Sequence, residues 1–438
     1  MNNNSVLSPN MTKHLLDWKL HLLVIGASLL AEWIGIIKIP IGIGILVLLP
    51  LLYAFIFAIL LNPNVVPSMK AVITKKRAKF ASYAILLSIM PFIAKFGVGV
   101  GPNIEEIIAA GPALLLQELG NVATVLIALP VAVLVFGMGR EAIGATHSIA
   151  REPNVALIAD KYGLQSPEGI GVMGVYVMGT LFGAIYFSLM AGVIASMELI
   201  DVRALAMACG IGSGSMMGAC SAALAETVPA QKETITAFAA TSNLLTYATG
   251  LFVSLFVALP LTEFLYKLVS KFKKSDGVDA TTGTDFGAVM EEPASLSTVQ
   301  SFILLAVICV VLLLSNWVGQ GVNPITALPA MMILFACCIV GILLKQLIPV
   351  NVPAIAWISI VAILISLPQF PFNAYVLAET EKLGVLQLLT PVLAYAGFAI
   401  SQMEVDLFKK SGFKIAIVAI LTFTGTFLGS AMIAQAML

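Results

Sequence analysis

Charge is what this chain has least of. Only 11% of its 438 residues are Asp, Glu, Lys or Arg, acidic and basic counts are equal at 23, and there are three histidines. Each shortage excludes something. With zero net charge and no Lys/Arg-rich arm interleaved with aromatics, the chain offers no electrostatic footprint for nucleic acid. The five cysteines, Cys209, Cys220, Cys309, Cys337 and Cys338, include no C-x-x-C pair and no nearby histidine. Neither a zinc site nor a disulfide framework is therefore expected, and no metal or cofactor is assigned. There is no G-x-x-x-x-G-K-[ST] loop, which argues against direct use of ATP. The D-D-x-x-D motif or His-Asp pair of an intramembrane transferase is also missing, so the chain is not expected to be an enzyme.

What fills the chain is apolar: 60% of residues are hydrophobic and the mean hydropathy is +1.02. Runs of roughly 18 or more apolar residues recur, each long enough as a helix to cross a bilayer core of about 30 Å. Backbone groups in lipid must be bonded internally, so these runs are helices. The alternation of a β-barrel does not occur. The pattern predicts an all-α polytopic membrane protein of about twelve spans, near 19–38, 41–61, 78–96, 120–139, 168–196, 203–225, 235–265, 298–318, 322–345, 350–368, 385–402 and 413–437. Lysine-rich clusters at Lys70, Lys75, Lys76, Arg77 and Lys79, at Lys267, Lys271, Lys273 and Lys274, and at Lys409, Lys410 and Lys414 are expected on the cytoplasmic side, as is the N-terminus. Residues 1–18 read as a cytoplasmic tail, 19–96 as N-terminal scaffold helices, and 97–265 as a core domain. The Gly/Ser/Thr/Asp-rich stretch at 266–297 reads as a flexible cytoplasmic linker, and 298–438 as C-terminal scaffold helices.

Two pairs of segments look related. "LLAEWIGIIKIPIGIGILVLLPLLYAFIFAILL" and "LLLSNWVGQGVNPITALPAMMILFACCIVGILL" share a Trp-x-Gly step and a proline seven residues beyond the Trp, matching Trp33 to Trp317 and Pro40 to Pro324. Weak internal symmetry of this kind is how transporter repeats look in sequence, though chance similarity between apolar segments remains the plain alternative. "GATHSIARE" at 144–152 and "GACSAALAE" at 218–226 form the second pair, each after a glycine-rich stretch that includes Gly137 and Gly139 in one case and Gly210, Gly212 and Gly214 in the other.

Glycines inside a span free backbone amides and let a new half-helix begin at membrane depth, where its positive end suits an anion. The candidate substrate-binding residues are accordingly Gly144, Thr146, His147, Ser148, Gly212, Ser213, Ser215 and Ser221. Tight helix packing through small-xxx-small steps is the competing explanation for the glycines. Arg140, Glu141, Arg151 and Glu152 read as two Arg-Glu couples flanking His147, or as an ordinary wet helix end. His147, Glu152 and Glu226 are the candidates for coupling to an ion, His147 because its ordinary pKa is about 6.5. A histidine bonded to a carbonyl at a helix break would look the same in sequence.

The segments "GPALLLQELGNVATVLIALPVAVLV", "REAIGATHSIAREPNVALIADKYG" with "GVYVMGTLFGAI", and "GIGSGSMMGACSAALAE" resemble, in that order, the central segments of the LrgB and CidB membrane proteins, over roughly residues 97–262. The wider chain is similar to a bacterial membrane family catalogued as domain of unknown function 3100. The LrgB-like resemblance implies the cation/proton antiporter and anion transporter superfamily, with inverted repeats, broken or re-entrant helices and an elevator-type motion of the core domain. It departs at Gly144-Ala145-Thr146, where LrgB-like proteins have Thr-Thr-Pro, and in the position of the histidine, so a substrate does not carry over. The expectation is a secondary active transporter of a small organic anion, a mono- or dicarboxylate, coupled to H⁺ or Na⁺. Its place would be the bacterial inner membrane, and its assembly a homodimer. The alternatives are a monovalent cation/proton antiporter of the same fold and a non-transporting, holin-like component.

Overall fold

The computed structural model describes residues 18–40, 45–149, 151–163, 166–272, 296–348 and 354–438. Within these it describes the backbone alone at 45–46, 76, 78–79, 121, 152–153, 156, 159–160, 247–248, 251, 403–404 and 406–412. The expected tail, up to residue 17, and most of the expected linker, 273–295, lie outside the described residues.

The chain opens with helix α1 (Trp18–Ile34), a two-stranded antiparallel hairpin of β1 (Ile37–Pro40) and β2 (Ile45–Leu48) in which Ile37 pairs with Leu48, and the short helix α2 (Pro50–Leu61). There follow α3 (Lys75–Val100), α4 (Ile104–Ala109), α5 (Gly111–Leu116) and α6 (Gly120–Pro130), then α7 (Glu141–Thr146), α8 (Glu152–Tyr162), α9 (Pro167–Met178) and α10 (Ala184–Ser196). The middle of the chain continues with α11 (Val202–Gly210), α12 (Gly214–Thr227), α13 (Lys232–Val253) and α14 (Leu259–Val269). After the linker come α15 (Thr298–Gln320), α16 (Pro324–Leu347), α17 (Ala354–Ser366), α18 (Asn373–Thr380), α19 (Val385–Ala399) and α20 (Gln402–Met437).

Among the described residues, six helical segments are long and apolar enough to cross a membrane: Phe80–Ala109, Gly111–Val135, Pro167–Ser196, Thr298–Gln320, Pro324–Leu347 and Phe413–Met437. A seventh is added if α18 and α19, bent by 62° at the break between them, are one broken span. This is a multi-pass, essentially all-α protein, and among the described residues it has six or seven full-length apolar spans where hydropathy suggests about twelve. The shortfall has local causes. Gly35, at φ +74°, ends α1 in the left-handed conformation that only glycine adopts cheaply, and its N–H closes onto the Ala31 carbonyl at 3.1 Å. The apolar run that follows then spends its first residues on the hairpin. The expected span at 203–225 is two helices, α11 and α12, and α17 has 13 residues.

Packing relies on small residues. The last helix, α20, lies along α6, where a Cβ on Gly429 would come within 2.7 Å of the Gly120 carbonyl and one on Gly425 within 2.8 Å of the Thr124 Cα. Lipid supplies no hydrophobic drive between helices, so close backbone approach of this kind, with the Thr124–Thr426 hydroxyl bond of 2.5 Å, holds the pair. Helix α15 begins with a reciprocal Ser297/Gln300 capping box and ends at Gly321, φ +72°, after which Asn323 caps α16.

Candidate functional site

The first motif is a broken helix. Gly137, at φ +65°, closes the span ending at Val135, and α7 restarts at Glu141 after five residues without helix. The Glu141 carboxylate accepts the Gly139 N–H at 2.8 Å. Gly144 serves packing here: a Cβ there would lie 1.8 Å from the Glu168 carbonyl, and one on Gly171 would lie 1.9 Å from the Glu141 carbonyl, so α7 and α9 cross glycine to glycine. Thr146 donates to the Ala142 carbonyl at 2.8 Å. His147 is fully buried, with Nδ1 3.0 Å from the Gly144 carbonyl and Nε2 3.2 Å from Ser148 Oγ. A ring that donates to the carbonyl and accepts from the serine is satisfied as neutral imidazole. Ser148 also receives Asn154 Nδ2, which reaches Ser254 Oγ at 3.2 Å. The Arg-Glu couples read from sequence pair differently in space. Arg140 bonds Glu168 at 2.5 Å, because Glu141 is turned toward Gly139, and Arg151 faces Glu118. The Glu152 side chain lies outside the described residues.

The second motif is also broken, between Gly210 and Gly214. Asn243 Nδ2 donates to the Gly210 carbonyl at 2.8 Å and the Gly212 carbonyl at 2.9 Å, serving two acceptors at the break. Ser213 caps α12 by accepting the Met216 N–H, and its hydroxyl lies 3.2 Å from that of half-buried Ser215. Ser221 is buried and bonds the Met217 carbonyl at 2.8 Å. The expectation of no disulfide is overturned: Cys209 and Cys220 are joined, one at the end of α11 and the other inside α12. The break turns α12 back beside α11 and brings together thiols that carry no motif in sequence.

Both motifs reach one face of α13, the second through its break and the first through Arg151 and Asn154. Ser242, Thr246 and Gly250 lie one turn apart along it, with Asn243 beside Ser242 and Ser254 in the following π turn. Gln117 donates to Ser242 at 2.8 Å, and Ser242 to the Met207 carbonyl at 2.6 Å. Thr246 bonds the Glu118 carboxylate, and a Cβ on Gly250 would lie 2.9 Å from Arg151 Nη2 and 3.3 Å from Glu118 Oε2. Glu118 is fully buried and Arg151 is 6% exposed. The result is a polar stripe with a carboxylate and a guanidinium at its middle. The second break attaches at one end through Asn243 and the first motif at the other through Asn154 on Ser254, roughly 16 Å apart at about 1.5 Å of rise per residue. Gly144, Thr146, His147 and Ser148 therefore sit at one end, and Gly212, Ser213 and Ser215 at the other. Glu118 and Arg151 are the members that sequence reading undervalued. The available signal was charge within an apolar stretch.

Ser221 and Glu226 reach a different place. They line a cavity of about 40 Å³ with Lys232 and Thr236 of α13, Gln320 of α15, and Val385, Leu386 and Gln387 of α19. That is room for a few waters. Gly384, before α19, has no side-chain cap on the helix it precedes. Its own N–H goes to Asn316 at 2.8 Å, so the first turn of α19 opens on the cavity. Glu226 is held from the hairpin by Lys38, whose Nζ is 3.4 Å from the carboxylate and 2.6 Å from the Glu226 carbonyl. Among the described residues, no group of three or more His, Cys, Asp or Glu side chains is arranged to hold a metal ion.

Apolar helices of spanning length, joined by breaks whose polar groups are buried, define a multi-pass membrane protein. The chain belongs to the family described as "Protein of unknown function (DUF3100)", whose model matches residues 29–268. No curated protein and no solved structure matches it. The resemblance to LrgB and CidB thus rests on the quoted segments alone.

Proposed function

We propose that the protein is a secondary active transporter of a small organic anion, a mono- or dicarboxylate, coupled to H⁺ or Na⁺. The observation that carries this reading is a polar cavity lined by one helix from each part of the chain: the C-terminal half of α12 brings Ser221 and Glu226, and α19, which follows the bend after α18, brings its first turn. The positive end of a helix favours a carboxylate, Lys232 adds a charge, and the Lys38 ion pair offsets the one carboxylate on the wall. Discontinuous helices lining a polar cavity are a transporter's way of making a site in a membrane. In this reading α12 and α13 belong to a body that slides past α15 and α19 in an elevator-type motion, as a homodimer in the bacterial inner membrane with a cytoplasmic N-terminus.

A cation/proton antiporter is the second reading, favoured by the burial of two carboxylates, Glu32 and Glu118, inside apolar helices. Binding separates the two. The purified protein in detergent is titrated with succinate, malate, lactate and glutamate, and separately with NaCl and KCl, following its thermal unfolding. Stabilisation by a carboxylate that is lost in Lys232→Gln supports the anion reading. Stabilisation by Na⁺ or K⁺ alone moves the assignment to the antiporter.

A further inference from the structure

Glu32 lies near the end of α1, only 6% exposed, in a helix that otherwise reads as apolar packing. Its carboxyl group has two partners, both on α19: Thr390 Oγ1 is 2.5 Å from Oε1, and Gln387 Nε2 donates to Oε2 at 3.0 Å. The Gln387 carbonyl oxygen in turn accepts Gln320 Nε2 at 2.9 Å. Gln387 and Gln320 line the cavity, so Glu32 stands one amide behind its wall. Gly319 gives it room: a Cβ there would lie 2.2 Å from Glu32 Oε2.

No Lys, Arg or His nitrogen is within ion-pair distance of Glu32 among the described residues. The surrounding titratable and charged groups are otherwise engaged. His21, on α1 itself, is bonded to Tyr395 at 2.7 Å. On α2, Tyr53 donates to the Leu48 carbonyl. On α3, Lys95 donates to the Thr380 carbonyl at 2.6 Å. Of the cavity's charged groups, Glu226 pairs with Lys38 and Lys232 is exposed. From α15 and α19 the groups presented to Glu32 are neutral amides and a hydroxyl.

A carboxylate taken out of water without a counter-charge is strongly disfavoured and is neutralised instead. The hydrogen-bond inventory favours the same outcome. Thr390 has one hydroxyl hydrogen but two acceptors in reach, Glu32 Oε1 at 2.5 Å and the Leu386 carbonyl at 3.0 Å. With a proton on Oε1, the carboxyl O–H donates to Thr390 Oγ1, Thr390 donates to Leu386, and Gln387 donates to the remaining carboxyl oxygen. Every partner is then used once.

We infer that Glu32 is a proton-binding site: it holds a proton in the arrangement seen here, and releases it when rearrangement at the cavity draws Gln387 away and admits water. The step is a proton transfer alone, from the Glu32 carboxyl to water, leaving a carboxylate. As the source of the coupling ion, this inference rests on the transport reading above and assigns H⁺ in place of Na⁺.

The test has two arms. Infrared spectra of the full-length protein in lipid at neutral pH are compared for wild type and Glu32→Gln, in H₂O and in D₂O. The expected difference is a protonated-carboxyl C=O band in wild type that shifts in D₂O, is absent in the variant, and moves in frequency in Thr390→Val. Identical spectra, or a carboxylate band in place of the carboxyl band, overturn the inference. In the second arm, vesicles loaded with a pH-sensitive dye receive external succinate. Wild type should acidify the lumen, while Glu32→Gln exchanges labelled for unlabelled succinate with at least a tenfold slower acidification. Equal acidification by both overturns Glu32 as the coupling group. Failure of wild type to move any carboxylate counts against the transport reading, and the infrared arm still decides the state of Glu32.

Discussion

Asn243 is the most economical place to test the architecture, because one amide group serves the second break. Its Nδ2 donates to the Gly210 and Gly212 carbonyls at 2.8 and 2.9 Å, and the residue is 3% exposed. Asn243→Leu keeps the branched heavy-atom shape of the side chain and removes the donor. A buried acceptor left without its bond costs about 1–3 kcal/mol. Interhelical bonds in membrane proteins average nearer about 0.6 kcal/mol, since the denatured state in lipid also finds partners. Two carbonyls at a helix break have few other donors in reach, so a loss of about 2–4 kcal/mol is expected. Ser254→Ala is the contrast. It removes one 3.2 Å bond from Asn154, which keeps its bond to Ser148, and should cost about 0.6 kcal/mol. Reversible unfolding in mixed micelles, following helicity, measures both. If Asn243→Leu came within about 0.5 kcal/mol of wild type, the break would not depend on this amide, and the polar stripe of α13 would lose its structural role.

Other expectations follow from single contacts. Gly144→Val should abolish or severely weaken folding, by more than the roughly 1–3 kcal/mol of ordinary overpacking, because its Cβ would meet the Glu168 carbonyl at 1.8 Å; expression with size-exclusion chromatography reads this directly. Thiol titration of the denatured protein should find Cys309, Cys337 and Cys338 without reductant and all five cysteines with it, whereas five in both cases would remove the Cys209–Cys220 bond. Asp201, before α11 and outside the spanning helices, is held below the ordinary carboxylate range, chiefly by its hydrogen bond from Arg203. Its folded pKa is depressed, so its stabilisation is present above the ordinary carboxylate pKa and fades as pH falls through the folded one. The two side chains are 36% and 31% exposed, and solvent screening limits the effect to under about 1 kcal/mol; Asp201→Asn should flatten that part of an acid-unfolding curve.

Membership of the membrane class and the positions of the two motif breaks were readable in the sequence because hydropathy and glycine act locally. What joins them was not. Gln117 meets Ser242 across 125 positions, Asn154 meets Ser254 across 100, and Glu32 meets Thr390 across 358, and no local pattern marks such partners. Glycine is ambiguous for a physical reason: Gly144 makes way for a helix crossing and Gly35 supplies a left-handed turn, and both look alike in a string of letters. Hydropathy also cannot separate a spanning helix from paired apolar strands, which is how residues 37–40 and 45–48 came to resemble parts of spans. Ser221 and Glu226 were visible as motif members, but their cavity partners Gln320 and Gln387 lie beyond the linker in segments that looked like plain scaffold.

The central claim, carriage of a small carboxylate through the cavity between α12 and α19, is tested most directly by uptake into liposomes containing the full-length protein. Radiolabelled succinate, malate, lactate and glutamate are offered with an imposed H⁺ gradient, with an imposed Na⁺ gradient and with none. The account predicts saturable accumulation of at least one of them driven by the H⁺ gradient, reduced at least tenfold in Lys232→Gln. Uptake no greater than in protein-free liposomes for every carboxylate under every gradient would contradict it.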